Sequence, residues 1–322
     1  MKLPIQKYHP NSSRLALGCM GFGGGWDDQP YQPAHVQQMA SAVEAALDNN
    51  INFFDHADIY TMGKAESVFG EVLKSRPSLR QDIIIQSKCG IKFDDELAPG
   101  RYDFSYEWII NSVDGILRRL HTEWIDILVL HRPDPLMEVD EIGRAFSELQ
   151  YTGKVKHFGV SNMHAHQIDY LQQSLDITFI TNQVELSLKN VDWLNESVSA
   201  GMSSGAGHHF SPGLLEYNRL QGCQIQAWGC LAQGLYSGRD LQGQPESVHK
   251  TAGLVSEYAE QFGVSREAIV LAWLLRHPYQ IQPVIGTTNP ERINACAQAE
   301  SVNLTREQWY SLYVASRGER LP

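Results

Sequence analysis

Several titratable side chains crowd one short stretch of the chain, NFFDHADIYTMGKAE at 52–66. The stretch begins as an apolar strand and then presents Asp55, His56, Asp58, Tyr60 and Lys64. Such a group is typical of a metal site, of an acid–base site or of a hydrated loop. Residues elsewhere in the chain distinguish among these three kinds of site.

The side chains that complete an acid–base site come with the next two apolar runs. Lys88 ends IIIQSK, and His131 follows ILVL. Because a buried ammonium stabilises a phenolate, we expect Lys88 to lower the pKa of Tyr60 from its reference of about 10. Asp55 would hold Lys88 charged, and His131 would donate to an oxygen that gains negative charge. Together the four residues predict a site that polarises and protonates a carbonyl oxygen.

A carbonyl site without a nucleophile needs a reductant, and hydride from a nicotinamide is the source we expect. Ser161 and Asn162 end the run GVSN, and Gln183 lies in TNQVE. A carboxamide binds to paired donors and acceptors, so these three side chains suit the amide of a nicotinamide.

The segment AWGCLAQGLYSGR suits the middle of a dinucleotide. Trp228 offers a flat face for an aromatic ring. Gly229 and Gly234 allow the backbone to approach a phosphate, and Arg239 can pair with its charge.

The segment GTTNPERINAC suits a further phosphate. Thr287 and Arg292 flank a helix start that Asn289 and Pro290 introduce, and helix N-termini bind anions. The Gly-rich run GFGGGW at 21–26 lacks the strand and helix context of a G-x-G-x-x-G dinucleotide motif.

Short runs rich in Val, Ile and Leu alternate with longer amphipathic stretches, as in βαβ units. Eight runs are candidate strands, at 14–18, 51–54, 82–87, 125–130, 155–160, 179–184, 224–228 and 282–286. Ser265 predicts the start of the VSREA helix, and Gly153 predicts the end of the ELQYTG helix. With no Pro/Gly/Ser linker between them, these elements predict an α/β protein, a single (β/α)8 TIM barrel domain over residues 1–322. The four carbonyl-site residues would then all emerge at the end of the barrel where active sites gather.

One segment breaks this alternation. SVSAGMSSGAGHHFSPG, at 197–213, is small and polar and lies where a helix is expected after the sixth strand. We interpret it as a loop insertion. Its His208-His209 pair has no nearby cysteine or carboxylate in sequence, so a solvated loop is favoured over a metal site.

Composition excludes several classes of function. Hydrophobic residues make up 43% and charged residues 20%, which is typical of a folded globular protein. The net charge of −11 argues against nucleic acid or an anionic membrane as a partner. No apolar run approaches the roughly 18 residues that cross a bilayer, and the N-terminus lacks an apolar signal core, so we expect a cytoplasmic protein. Five scattered cysteines, with no C-x-x-C pair, predict reduced thiols.

The order of these motifs resembles the aldo-keto reductase family over almost the whole chain. The likeness rests on FFDHADIY, IIIQSK, LVLHRPD, GKVKHFGVSN, NQVELS and VIGTTNPERI. GFGGGW, HRPDPLM and QIQAWGCLAQG are similar to bacterial reductases that resemble potassium-channel β-subunits. The resemblance implies reduction of an aldehyde or ketone with NADPH, with Tyr60 as general acid, Lys88 and Asp55 as its partners, and His131 orienting the carbonyl. The cofactor positions that it implies are Cys19, Met20, Asp55, Ser161, Asn162, Gln183, Trp228, Gly229, Cys230, Leu231, Gly234, Arg239, Gly286, Thr287 and Arg292.

The chain departs from the family pattern in the adenosine-phosphate loop. Many members carry a lysine where this chain has Gly286, and Ala295 and Cys296 replace the usual acid–amide pair. Arg292 still favours a 2′-phosphate, because a guanidinium pairs with phosphate bidentately, so NADPH is expected over NADH.

Two other functions stay open. A metal-dependent hydrolase would use His56, Asp58 and His131 with His164 and His166, although helix geometry would separate the last two. A regulatory module that binds NADPH without turnover would retain the same four site residues. The natural substrate and the oligomeric state do not follow from the sequence.

Overall fold

Eight parallel strands close into a barrel in the computed structural model, which describes residues 2–322. The barrel strands are β1 (Ala16–Gly18), β2 (Phe53–Asp55), β3 (Ile84–Cys89), β6 (Ile125–Leu130), β7 (Val155–Ser161), β8 (Phe179–Glu185), β9 (Gln224–Trp228) and β10 (Gln282–Ile285). Their order around the barrel is β1-β10-β9-β8-β7-β6-β3-β2. The predicted fold class is confirmed.

Two short strands outside the barrel follow β3. They are β4 (Ile91–Lys92) and β5 (Arg101–Tyr102), which pair antiparallel. The polar stretch between them is held by ion pairs from Lys92 to Asp103 and from Arg101 to Asp95. This ribbon lies on the same end of the barrel as the carbonyl-site residues, because it continues directly from β3.

Eleven α-helices are present in the described residues. They are α1 (Pro33–Asp48), α2 (Lys64–Ser75), α3 (Tyr106–Leu120), α4 (Val139–Tyr151), α5 (Ala165–Leu175), α6 (Asp192–Val198), α7 (Leu214–Gln221), α8 (Glu246–Phe262), α9 (Arg266–Leu275), α10 (Pro290–Ala297) and α11 (Arg306–Arg317). Ser265 caps α9 by accepting from the Ala268 N–H, as predicted. No helix of this described part is long and apolar enough to cross a membrane.

The 197–213 segment joins two short helices. It contains the end of α6, a 3-10 helix at Ser203–Gly207, and the approach to α7. His208 lies 3.5 Å from Asp192, and the His209 backbone N–H donates to the same carboxyl group. The histidine pair therefore ties this segment to the start of α6.

Two apolar layers hold the barrel. An outer layer packs the strands against the helices, and an inner cluster fills the barrel interior. Inner residues include Phe53, Ile127 and Ile180, each of which contributes about 1.5–3 kcal/mol on full burial. The N-terminal 3-10 helix Pro4–Lys7 closes the amino end of the barrel with the fully buried Ile5. The carbonyl-site residues lie at the other end of the strands.

Candidate active site

Lys88 lies at the centre of the polar group at the carboxyl end of the barrel. It is fully buried, and its Nζ donates to Asp55 Oδ2 at 2.7 Å, to the Tyr60 hydroxyl at 3.0 Å and to the His56 carbonyl oxygen at 2.9 Å. An ammonium has three N–H groups, so all of its donors have acceptors. The contacts fix Lys88 between the carboxylate and the phenol.

The backbone after β2 places the Tyr60 side chain. A 3-10 helix spans Tyr60–Gly63, and Thr61 and Met62 have left-handed φ values of 47° and 61°. Such values are uncommon outside glycine and cluster at functional sites. The Thr61 hydroxyl donates to the Phe22 carbonyl oxygen at 2.7 Å, which holds this turn against the segment after β1.

His131 completes the group from the end of β6. Its backbone N–H donates to the Cys89 carbonyl oxygen, and its ring meets the Tyr60 ring edge-on at 6.0 Å. Burial, with help from Lys88, holds the pKa of His131 well below its usual value. The imidazole is therefore neutral and keeps one N–H donor.

The pKa of Tyr60 differs from the expectation drawn from the sequence. Burial raises the pKa of Tyr60 above 10, and Lys88 only partly offsets that effect. The pKa of Lys88 is raised as well, but for a different reason. Burial opposes its charge, but Asp55 and Tyr60 raise the pKa of Lys88 above its usual value. Near neutral pH, Tyr60 is thus a protonated phenol beside an ammonium.

Sequence reasoning missed a polar side chain that touches Asp55. Gln86 Nε2 donates to Asp55 Oδ1 at 2.6 Å, and Gln183 Nε2 donates to the same oxygen at 3.0 Å. Alternate residues of a strand share a face, so Gln86 points inward with Ile84 and Lys88. A glutamine at an inward position of an apolar run was the available signal.

The residues predicted to bind a carboxamide lie together. Ser161 Oγ donates to the Gln183 carbonyl oxygen at 2.8 Å, and Asn162 Nδ2 donates to Ser161 Oγ at 2.7 Å. Trp228 Nε1 donates to Asn162 Oδ1 at 3.1 Å. Asn162 has a left-handed φ of 58°, which turns it toward Trp228. The group lies on the opposite wall of the barrel mouth from Tyr60.

The segment after β9 has the backbone shape expected of a phosphate loop. Gly229 and Gly234 have φ values of 66° and 79°, and Gly238 has 115°. Arg239 Nη1 has one long contact, at 3.4 Å, to Gln233. A guanidinium so weakly held remains available to an anion.

The cysteines of the predicted cofactor set take part in packing. Cys19 and Cys230 are buried, and burial raises the pKa of the Cys230 thiol to about 12. Cys230 Sγ donates to the Val284 carbonyl oxygen, and Leu231 beside it is half-buried. Any contact that these cysteines make with a cofactor therefore goes through their backbone. Met20, next to Cys19, is exposed.

The segment after β10 forms a capped helix start. The Asn289 side chain accepts from the Glu291 N–H at 2.8 Å, and Thr287 Oγ1 accepts from the Asn289 N–H at 3.2 Å. Arg292 lies in the first turn of α10, with 61% of its side chain exposed and Glu267 4.0 Å away. A side chain at Gly286 would meet no neighbouring atom, so packing does not require a glycine there.

The remaining charged residues of the 52–66 stretch serve the scaffold. Lys64 Nζ donates to the Asp27 carbonyl oxygen, to Asp27 Oδ1 and to the Gln29 carbonyl oxygen. Glu66 is fully buried and accepts from Ser87 Oγ and Arg119 Nε.

His56 is fully buried, and Asp58 is partly buried. Burial lowers the pKa of His56 to about 3 and raises the pKa of Asp58 to about 7. His164 caps α5 and lies ring to ring with His166 at 6.0 Å. Over residues 2–322, no three His, Cys, Asp or Glu side chains are grouped so as to hold a metal ion.

Large apolar side chains surround the mouth on one side. They lie on the segments after β1, β2, β3 and β6 and are Met20, Trp26, Met62, Phe93, Leu97, Tyr102 and Leu136, all exposed. We call this set the apolar rim. Because they follow the strands whose ends carry the site, they are positioned to contact a ligand in the mouth.

Comparisons with known proteins agree with this geometry. The sequence model of the Aldo/keto reductase family matches residues 14–314. The chain is 36% identical to a 6-dehydroglucose reductase from Agrobacterium fabrum over 319 residues, which are 96% of each chain. It is 26% identical to a putative voltage-gated potassium channel subunit beta from Schizosaccharomyces pombe, over 87% of this chain and 84% of that protein.

A solved structure has the same fold as this chain. The glycerol dehydrogenase from Gluconobacter oxydans superposes with a TM-score of 0.76 at 23% identity, over 94% of this chain and 91% of that chain. Together with a family match that runs from the first barrel strand into the last helix, these likenesses show that the chain belongs to the aldo/keto reductase family of oxidoreductases.

Proposed function

We propose that the protein reduces an aldehyde or ketone to an alcohol with NADPH, and that Tyr60 delivers the proton. The observation that carries this proposal is the Lys88 ammonium, whose three donors join Asp55, the Tyr60 hydroxyl and the backbone. A buried lysine that touches a tyrosine hydroxyl at the mouth of a barrel suits proton transfer to an oxygen.

The chain's own residues orient and protonate the substrate oxygen. When bound, the cofactor supplies a hydride to the carbonyl carbon. Tyr60, a phenol at neutral pH, donates its proton to the oxygen, and Lys88 stabilises the phenolate that remains. The neutral His131 imidazole donates to the same oxygen and sets the direction of approach. In the reverse direction Tyr60 acts as the base.

The residues around the mouth fit a nicotinamide dinucleotide. Gln183 Nε2 donates to Asp55 and Gln226, while Gln183 Oε1 accepts no hydrogen bond from the described residues. That oxygen can accept from a carboxamide N–H, and Asn162 and Ser161 can complete the amide contact. The left-handed glycines after β9 and the Arg239 guanidinium suit the pyrophosphate.

We expect Arg292 to select NADPH over NADH. Replacing Arg292 by leucine should raise the KM for NADPH about tenfold, because one charge-assisted hydrogen bond to the cofactor is lost. The KM for NADH should stay unchanged. Initial rates with both cofactors measure this. Arg306→Leu, an exposed arginine on α11, is the control. Equal changes for the two cofactors would contradict the assignment.

The apolar rim indicates which kind of substituent the substrate has on its carbonyl group. Trp26 and Met62 present apolar surface beside the Tyr60 turn, so an apolar or aromatic substituent gains contact area there. A sugar aldehyde, the kind of substrate that the name 6-dehydroglucose reductase gives to the Agrobacterium relative, would leave that surface uncovered. We therefore propose a carbonyl with an apolar body.

One assay tests the proposed function. NADPH and NADH are each mixed with the protein and with aromatic, aliphatic and sugar aldehydes and small ketones, and nicotinamide absorbance is followed. We expect carbonyl-dependent oxidation of NADPH, fastest with an apolar aldehyde. Tight NADPH binding, seen as quenching of tryptophan fluorescence, without turnover of any carbonyl would instead identify a regulatory module.

A further inference from the structure

A connected group of four glutamines lies in the barrel interior, where branched apolar side chains are the usual filling. They are Gln86, Gln183, Gln226 and Gln282, and none exposes more than 2% of its surface. A buried amide is unfavourable unless its polar atoms are bonded. Proton delivery to a carbonyl oxygen does not by itself require any glutamine below Asp55, so this set needs a separate explanation.

Strand register places these side chains next to one another. Gln282 is the register partner of Gln226, and Gln226 is the partner of Gln183, along β10, β9 and β8. Asp55 and Gln86 are partners on β2 and β3. Across the interior, Gln86 Nε2 donates to Gln226 Oε1 at 2.8 Å, which joins the two groups. The five side chains thus form one connected network.

The amide directions in this network are fixed from the amino end of the barrel. Gln282 Nε2 donates to the Ser13 carbonyl oxygen at 2.8 Å, and a backbone carbonyl can only accept. The Gln282 oxygen therefore faces Gln226, whose Nε2 donates to it at 3.0 Å. This contact in turn leaves the Gln226 oxygen facing the centre of the barrel.

The same direction reaches Asp55. Gln86 Nε2 and Gln183 Nε2 both donate to Gln226 Oε1, at 2.8 and 3.2 Å, and both donate to Asp55 Oδ1, at 2.6 and 3.0 Å. A flipped Gln86 amide would place its oxygen against two acceptors at once. Asp55 Oδ2 stays free for Lys88.

We propose that Gln86, Gln226 and Gln282 form a glutamine ladder that positions Asp55. Because Gln282 donates to the Ser13 carbonyl oxygen, the amide orientation of each following glutamine is set in turn. As a result, Asp55 Oδ1 accepts two N–H donors, and Asp55 Oδ2 accepts from Lys88. The three glutamines are positioning residues, and their kinetic effect rests on the proposed function, in which Asp55 and Lys88 serve Tyr60. Gln226 of the ladder and Asp55 together accept both amide hydrogens of Gln183, which leaves only the Gln183 oxygen for a ligand.

Kinetics of single variants test the effect on turnover. Gln86→Met removes one donor to Asp55 at similar length, and we expect kcat for carbonyl reduction to fall about tenfold, as for loss of an outer partner of a site residue. Gln282→Met leaves every contact of Asp55 in place, and we expect a loss of about threefold through the network. In both variants the KM for the carbonyl should stay unchanged, since the ladder does not line the mouth. Ile84→Val, an inward apolar residue of the same strand, is the packing control and should leave kcat unchanged.

A spectroscopic measurement tests the ladder without turnover. In protein labelled with 15N-glutamine, the side-chain amides of the ladder should exchange with D2O far more slowly than that of the exposed Gln29. Gln282→Met should shift the amide resonances of Gln86, although the two side chains do not touch. Rapid exchange of the ladder amides in the wild-type protein, or no shift of Gln86 in Gln282→Met, would overturn the ladder. A wild-type protein that reduces no carbonyl but keeps protected, coupled amides would overturn the proposed function alone.

Discussion

Replacing Tyr60 by phenylalanine is expected to lower kcat for carbonyl reduction at least about a hundredfold, the scale for loss of a general acid. The ring and its packing remain, so only the proton is lost. Lys88 then has one acceptor fewer, while its contacts with Asp55 and the His56 carbonyl oxygen stay. Initial rates with a saturating carbonyl measure the effect, and Tyr151→Phe, an exposed tyrosine at the end of α4, is the control.

The pH profile gives this prediction a second readout. Because burial raises the pKa of Tyr60, the phenol stays protonated through neutral pH, and reduction should fall only as pH rises through that raised value. Alcohol oxidation needs the deprotonated form and should rise over the same range. Tyr60→Phe should lose this dependence. A variant with undiminished turnover would exclude Tyr60 as the proton donor.

Replacing Lys88 by methionine should lower both activity and stability. The Asp55 carboxylate would remain buried without its cation, and such a change costs about 3–5 kcal/mol of unfolding free energy. We expect kcat to fall by at least about a hundredfold as well, because no cation would stabilise the Tyr60 phenolate. Denaturant unfolding and initial rates measure the two losses.

A second variant separates the two effects of Lys88. Lys88→Met combined with Asp55→Asn removes the uncompensated charge, so stability should recover while activity stays lost. Lys250→Met breaks an exposed ion pair with Glu246 on α8 and should leave unfolding nearly unchanged. If the Lys88→Met single variant were as stable as the wild-type protein, an unpaired Asp55 carboxylate would not be destabilising as proposed.

The part of the site that follows strand ends could be predicted from the sequence. Lys88 and His131 each close an apolar run, and parallel strands bring such positions to one end of a barrel. The strand limits were less accurate. β3 was expected to end at 87 but extends to Cys89, so Lys88 lies within the strand rather than after it. Strand β3 extends to Cys89 because it pairs with β6 up to that residue. The sequence of β3 alone does not show which strand it pairs with.

The polar network below the site could not be predicted, because it depends on register. Gln282 and Gln86 are far apart in the chain, and only closure of the barrel brings them to one network. The pKa of Tyr60 was misjudged for a related reason. The sequence showed the neighbouring ammonium but not the depth of burial, and burial has the larger effect. The buried contact of Glu66 also depends on the fold, because its partner Arg119 comes from another helix.

The contacts of Lys64 determine which side of the mouth can move. The lysine belongs to the first turn of α2 and ties the segment that carries Trp26 to the turn that carries Tyr60. Gly23 packs so closely on the Lys64 backbone that a side chain there would collide with it. This wall of the mouth is therefore one stiff body with the proton donor. We therefore expect the Trp26 segment and the Tyr60 turn to keep their relative positions when a ligand enters the mouth.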